Sequence, residues 1–475
     1  MEIRARVMGV SQGIDESFHA EIPFTQVLMP SAGYASVARK RYLHMMMRHV
    51  ALRPVYRRMA LLIQCHRWNR TFMHITIRKH SLVVAAMLAL AVSLSIAALG
   101  SIDTIYAAEV HAEDASPLRD YLKAKKQAIV AQQKQDAAPT RLHAHVIAEG
   151  RSGVRRLRIG DKEQFQWLSD SPRNGAGFNL APGSWESLVA MLSSAVADEY
   201  VVQAALKDIP LDSLDIVFTS IPQRKSATLA YPNNLSYEAY IQSPVSDAKL
   251  EELKIAVHAN SSVIDLVTQP HQVSPLTIEY IQTPAQRAPN SQPGLRDFIT
   301  EDQVPVTKGT LKPSEPKPAS TQPRTLIAHT RVEPNTGLRQ TWLGHDNYFQ
   351  ALHDSAAGLL GRGLAPTVEE NLLGVVTTCP THIFEIQAAA RGVLLDKLEL
   401  TADADLSPRF GKSVTSPARY GYITYKVKVE SPNSAADIDG LAKAVEDTCP
   451  LYNLVKDAQK LEGKIVHHAY VAAAQ

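Results

Sequence analysis

Cysteine is scarce in this chain: three residues in 475, too few for a disulfide scaffold. A cluster of metal-ligand residues, a glycine-rich phosphate loop and a Ser-His-Asp signature are missing too, so no cofactor or metal is expected. His467 and His468 read as a tail feature rather than a metal site. Basic charge is short over most of the length. Residues 1–80 hold 13 Lys/Arg against 4 Asp/Glu, a net of +9 within an overall +3, so residues 81–475 carry about −6. That leaves no basic footprint for nucleic acid. The apolar content of 45% is ordinary for a globular chain.

What is present is a duplication. The stretch His145–Leu188 matches His329–Leu372 without a gap. Gly153 and Arg155 fall opposite Gly337 and Arg339, Pro182 opposite Pro366, and Glu186 opposite Glu370. The same offset sets Ala195 against Cys379. A second block, shifted by four residues, pairs Pro244 with Pro432 and Ser261 with Cys449. Only the second copy carries thiols, the pattern of one active and one supporting module.

The N-terminal part reads differently. Leu82–Gly100 is an uncharged run of 19 residues, long enough as a helix to cross a bilayer core. Arg78 and Lys79 precede it, and Asp103, Glu109, Glu113 and Asp114 follow it. This bias predicts the repeats on the outer, periplasmic side. Two forms stay open: an uncleaved anchor, or a signal peptide that starts at Met73 and is cleaved near Gly100. The division expected is 1–72 a basic extension without structure of its own, 73–108 the signal or anchor, and 109–139 a helical spacer. Residues 140–269 are then repeat 1, 270–323 a proline-rich linker, and 324–475 repeat 2.

Within the spacer, Ser116-Pro117 reads as a helix start, with the helix running to about Gln133. Strands are expected at Leu142–Ile147 and Arg155–Ile159, then a helix from Ser184, more strands between Leu214 and Ser243, and helical spacing over Asp247–Val267. Residues 270–323, rich in proline, serine and glutamine, read as extended chain. Repeat 2 should have strands at Leu326–Val332, Leu338–Leu343, Val393–Ala402 and Tyr420–Val429, and helices at Val368–Ala390 and Ala435–Leu461. The fold class is α+β, with two repeats packed as an intramolecular pseudo-dimer.

Leu372, Val375, Val376 and Cys379 form a helical stripe that turns the thiol inward. Cys449 lies in Glu446-Asp-Thr-Cys-Pro450, a helix break and restart, and a thiol at a helix N-terminus is expected to have a lowered pKa. The plainer reading makes both cysteines buried small hydrophobes.

These residues resemble the OsmC/Ohr family, the osmotically inducible and organic-hydroperoxide-resistance proteins. Pro366-Thr-Val-Glu369-Glu370, leading to Cys379, is similar to the family's first motif. Cys449-Pro450-Leu-Tyr452, 70 residues after Cys379, is similar to its second. The resemblance implies intertwined subunits with a thiol site at each interface. It implies that Cys379 attacks an organic hydroperoxide, that Cys449 closes a disulfide, and that a dithiol reopens it. It also implies an arginine held by a glutamate beside the thiolate. Arg155 or Arg339, with Glu186, Glu369 or Glu370, are the candidates. The plainer roles are solvated strand-edge charges for the arginines and helix-start charges for the glutamates. Glu370 stands nine residues before Cys379, about 13 Å along a helix, so Arg155 and Glu186 of repeat 1 are expected to complete the site. The expected activity is thiol peroxidase in the cell envelope, as a monomeric pseudo-dimer or a higher oligomer. The competing expectation is a non-enzymatic envelope binding protein with a structural disulfide.

Overall fold

The computed structural model describes residues 116–224, 230–289, 291–309, 325–344 and 348–468. The expected extension, the Leu82–Gly100 segment and the start of the spacer lie outside the described residues. The elements in chain order are α1 (Pro117–Gln133), β1 (Thr140–Ala148), β2 (Arg155–Ile159), β3 (Phe165–Ser169), α2 (Ser184–Leu206), β4 (Ser213–Ser220), β5 (Leu235–Gln242), α3 (Asp247–Asn260), α4 (Ser262–Thr268) and β6 (Val273–Gln282). They continue with β7 (Leu326–Val332), β8 (Arg339–Leu343), β9 (Phe349–His353), α5 (Val368–Arg391), β10 (Lys397–Leu406), β11 (Ile423–Ser431), α6 (Ala435–Thr448), α7 (Pro450–Leu454) and β12 (Leu461–His468).

The fold is mixed α+β with two six-stranded sheets, ordered β3-β2-β1-β10-β11-β6 and β9-β8-β7-β4-β5-β12. Each takes a three-strand meander from one half of the chain and an antiparallel pair from the other. The joins are antiparallel β1–β10 and β4–β7. Each sheet ends in a parallel edge strand, β6 on β11 and β12 on β5. The strands alternate buried and half-buried residues, as in β1 and β4, because successive side chains point to opposite faces. The buried faces rest on α2 and α5, the two long helices of the core. Among the described residues, α2 is the one helix long and apolar enough to cross a membrane by length and composition; its apolar window is wholly buried, as in a core helix.

Several expectations need correction. The linker 270–323 is in part folded. Val273–Gln282 is an edge strand, where Pro275 is tolerated because one side of the strand lacks a ladder partner. Residues 295–307 form helical turns that bury Leu295, Phe298 and Ile299. Proline on either side of these pieces dominated the composition and hid their apolar spacing. Helix α1 is no free spacer either, since Leu118, Tyr121, Leu122 and Ile129 are buried. The expected helix Ala435–Leu461 stops at Thr448, restarts for five residues, and gives way to β12. His467 lies in β12 and bonds to Asp247 and to the Ser243 carbonyl.

The two helical lead-ins do the same job. In Leu118-Arg-Asp-Tyr121 and Leu295-Arg-Asp-Phe298 the arginine forks onto an aspartate, Arg119 onto Asp212 and Arg296 onto Asp396. Each aromatic ring covers a glycine turn with positive φ, Phe298 over Gly153 and Tyr121 over Gly337. A Cβ there would lie 2.1 Å and 2.0 Å from the ring or its hydroxyl. Gly374 in α5 is held by packing instead, since a Cβ would come within 2.6 Å of Leu157 in β2. A helical Gly→Ala change ordinarily gains about 1 kcal/mol, but overpacking costs about 1–3 kcal/mol. Gly374→Ala is therefore expected to lower stability in urea titration by about 1 kcal/mol, and a gain would contradict this packing.

Candidate functional site

Helix α5 begins with a capping box: Thr367 Oγ1 accepts from Glu370 N at 3.2 Å, and Glu370 Oε2 accepts from Thr367 N at 2.8 Å. Nine residues on, Cys379 is buried at 3% exposure. Pro380 follows it inside the helix. Proline has no N–H, so the carbonyl four residues back loses its helical donor. The Tyr425 hydroxyl of β11 reaches that carbonyl, Val376 O, at 3.5 Å. The same ring packs edge-on against Tyr452 of α7, with centroids 5.7 Å apart.

Cys449 is the hinge between α6 and α7, with extended backbone (φ −71°, ψ 120°) and Pro450 at the first turn of α7. This turn brings it to Cys379. Cys449 Sγ donates to Cys379 Sγ at 3.5 Å. Both are free thiols, and Cys449 is fully buried. The expectation of a lowered Cys449 pKa is overturned. Burial pushes the thiol well above its ordinary value, and the hydrogen bond and charge of Cys379 push the same way. The backbone N–H groups of Tyr452 and Leu451 act in the opposite sense but do not prevail. Helix α7 has five residues, and one short turn does not offset the loss of water around a sulfur.

The charged candidates fall elsewhere. Arg155 is buried and crosses to α5, where Nη1 meets Glu385 Oε2 at 3.1 Å and His382 Nδ1 at 2.9 Å; Nη2 donates to Ser171 Oγ at 3.2 Å. Arg339 makes the mirror contact with α2: Nη1 to Asp198 at 2.7 Å and Nη2 to the Asp354 carbonyl at 2.7 Å. Among the described residues neither guanidinium bonds to a sulfur. Glu186 caps α2 by accepting from Gly183 N at 3.1 Å, and Glu370 caps α5. So the expected Arg155–Glu186 pair is replaced by Arg155–Glu385. Glu369 is half-buried and accepts from Ser262 Oγ at 3.1 Å; burial, then the charge of Asp198, raises its pKa. The start of α2 does lie beside the thiol helix, since Ser184 Oγ is 2.9 Å from Thr378 Oγ1.

Ser171 Oγ, His382 Nε2, His382 Nδ1 and Glu385 Oε2 are spaced like a serine triad, at 3.2 and 3.1 Å. Arg155 spoils that chemistry. Its N–H donates to Nδ1, which sets the imidazole proton on Nε2 and leaves no base for the hydroxyl. Burial, then Arg155, lowers the His382 pKa against the pull of Glu385.

A second charged group surrounds Arg339. Asp198 bonds also to Arg409 at 2.9 Å, and Arg409 pairs with Glu199. Burial alone would raise the Asp198 carboxyl, but Arg339, Arg409 and Lys125 hold it well below the ordinary range. Lys125 donates to Ser355 Oγ and the Leu359 carbonyl, both at 2.8 Å, and burial lowers its pKa to about 8. Sequence reasoning missed Glu385, His382, Asp198 and Arg409. The arginine-aspartate lead-ins, repeated in the sequence, were the available sign that buried ion pairs organise this fold.

The model of the OsmC-like protein family matches residues 361–464. That region holds α5, both thiols and the first half of β12. No curated protein matches the chain.

Proposed function

We propose that the chain is two OsmC-like units fused and interlocked as an intramolecular pseudo-dimer, with one dithiol site that reduces organic hydroperoxides. Support for the pseudo-dimer comes from the shared strand order of the two sheets and from Arg155 and Arg339, each crossing to the other half's long helix. The observation that carries the activity is the 3.5 Å contact between Cys379 and Cys449.

The hydrogen bond orders the two roles. Cys449 keeps its proton and donates, so Cys379 is the acceptor sulfur and the nucleophile. Its thiolate attacks the outer peroxide oxygen; the O–O bond breaks, the alkoxide leaves and takes a proton, and Cys379 becomes a sulfenic acid. Cys449 then attacks that sulfur. An S–S bond forms and water leaves. A dithiol reductant returns both thiols. The aromatic surroundings, Tyr425 and Tyr452, suit an organic peroxide better than a hydrated one. The Arg155 and Glu385 pair acts as a brace for α5 in this reading.

Cys379→Ser is expected to abolish consumption of an organic hydroperoxide in the presence of dithiol. Cys449→Ser should permit one turnover and then stall with Cys379 oxidised. Equal consumption by wild type and Cys379→Ser would sink the reading. We also propose that Leu82–Gly100 places the repeats on the periplasmic side. A C-terminal reporter that works only there should be active, and activity of a strictly cytoplasmic reporter would remove this part.

A further inference from the structure

Cys449 must meet the oxidised Cys379 sulfur, so the placement of its turn against α5 governs the closing step. The turn is a stiff unit. Cys449 N donates to Val445 O at 2.7 Å. Pro450 brings no N–H, so the carbonyl four residues back, Glu446 O, lacks a helical donor. Asn453 Nδ2 supplies one at 2.8 Å and reaches Cys449 O at 2.9 Å. Two bonds fix this unit to the edge strand β6: Leu276 N donates to Glu446 Oε1 at 2.8 Å, and Tyr452 Oη to Ser274 O at 2.9 Å. One side-chain bond fixes it to the thiol helix. Gln387 Nε2 of α5 donates to Thr448 Oγ1, on the residue before Cys449, at 3.1 Å. Among the described residues, this bond and the thiol pair itself are the hydrogen bonds between α5 and the turn.

The polar groups around that bond set its direction. The Thr448 hydroxyl gives its proton to Ala444 O at 2.6 Å, so toward Gln387 it accepts. Arg391, one turn along α5, donates from Nε to Gln387 Oε1 at 3.5 Å, which leaves Nε2 facing Thr448. Gln387 stands eight residues beyond Cys379, about 12 Å along the helix, so it acts on the turn and not on the Cys379 sulfur. We propose that Gln387 is a positioning residue for disulfide closure: through Thr448 it holds the Cys449 turn in register with Cys379. The inference rests on the dithiol reading above. The step it serves balances without a further reagent: sulfenic acid and thiol give disulfide and water.

The surrounding packing limits the size of the effect. Ala388 of α5 and Leu441 and Val445 of α6 stay buried in one core when this bond is lost, and the bonds to β6 remain. The fold survives and the turn gains freedom. That freedom lowers the share of molecules with the two sulfurs in reach, and with it the effective concentration of one thiol at the other. The expected loss is about three- to tenfold, the span of one net hydrogen bond. It falls on closure and on the dithiol–disulfide equilibrium, and not on the peroxide attack at Cys379, which comes first. A tenfold fall in that equilibrium raises the reduction potential by about 30 mV.

The test uses the full chain, and its first arm needs no peroxide. The protein is equilibrated with mixtures of reduced and oxidised dithiothreitol, and the Cys379–Cys449 disulfide is read by peptide map. Gln387→Met and Thr448→Val remove opposite ends of the bond, and each should lower the disulfide equilibrium constant about three- to tenfold. Thr448→Ser keeps the acceptor and should match wild type. The double variant Gln387→Met/Thr448→Val should lose no more than either single one, because both act through one bond. Equal constants in wild type and Gln387→Met overturn the proposal, whatever the protein does with peroxide. In the second arm, one equivalent of organic hydroperoxide is added to reduced protein. Gln387→Met should form Cys379 sulfenic acid at the wild-type rate, hold it longer for trapping by dimedone, and close the disulfide about three- to tenfold more slowly. Closure at the wild-type rate in that variant also overturns it. Absence of sulfenic acid in Cys449→Ser protein would instead refute the peroxidase reading.

Discussion

Arg155→Ala is expected to destabilise the protein by about 3–5 kcal/mol, the usual loss when one partner of a buried ion pair is removed. Arg155 is 2% exposed and Glu385 is fully buried. The second oxygen of Glu385 already has no partner, so removal of the guanidinium leaves a carboxylate with little to hold its charge. Ser171 and His382 lose the same donor. The check is urea unfolding of Arg155→Ala beside Arg155→Met/Glu385→Met. The double variant replaces both charges by apolar groups and should recover most of the loss. A loss under about 1 kcal/mol in the single variant, the range of a surface pair, would show that the pair is not a brace.

The second large effect is acid sensitivity at His353. This imidazole is fully buried at the end of β9. Asn371 Nδ2 lies 3.0 Å and Met191 Sδ 3.1 Å from Nε2, and Nδ1 has no hydrogen-bond partner. Burial, then the charge of Arg339, lowers its pKa to about 3, against a small pull from Asp198. Below about pH 6.5 the unfolded chain binds a proton here that the folded chain refuses, so stability is lost as pH falls toward 3. Well inside that window each pH unit removes about 1.4 kcal/mol, so about 2 kcal/mol goes between pH 6.5 and 4.5. Glu199 and Glu369, raised by burial, act in the opposite direction. The readout is therefore a difference: His353→Gln should show a shallower fall of stability with acid than wild type. Identical slopes would mean that His353 is protonated in the folded protein.

The parts of the fold legible in the sequence were those with strong periodicity. The alternation in β1 and β7, the long α5 and the start of α1 all follow from local patterns. The start of helix α2 at Ser184 was legible too. The edge strands were not. Residues 273–282 and 461–468 lie beside proline-rich or helical-looking chain, and their parallel pairing joins segments far apart in sequence. At the site, the meeting of Cys379 and Cys449 was implied by the resemblance of their two motifs to a known family. The acidic partner of Arg155 did not. Glu385 lies on the same helix as the thiol but two turns beyond the segment that suggested Glu186 or Glu369. Its identity depends on which helix the strand faces in the folded chain. The pKa of Cys449 was misjudged because a helix start is visible in sequence and full burial is not.

The central claim is that Cys379 and Cys449 act as one peroxide-driven dithiol. Its most direct test is a peptide map of the reduced full chain after one equivalent of organic hydroperoxide. The account predicts a Cys379–Cys449 disulfide in most molecules, with loss of two hydrogens and full reversal by a dithiol. Both cysteines still free and open to alkylation in the unfolded protein, with the peroxide left unconsumed, would contradict it.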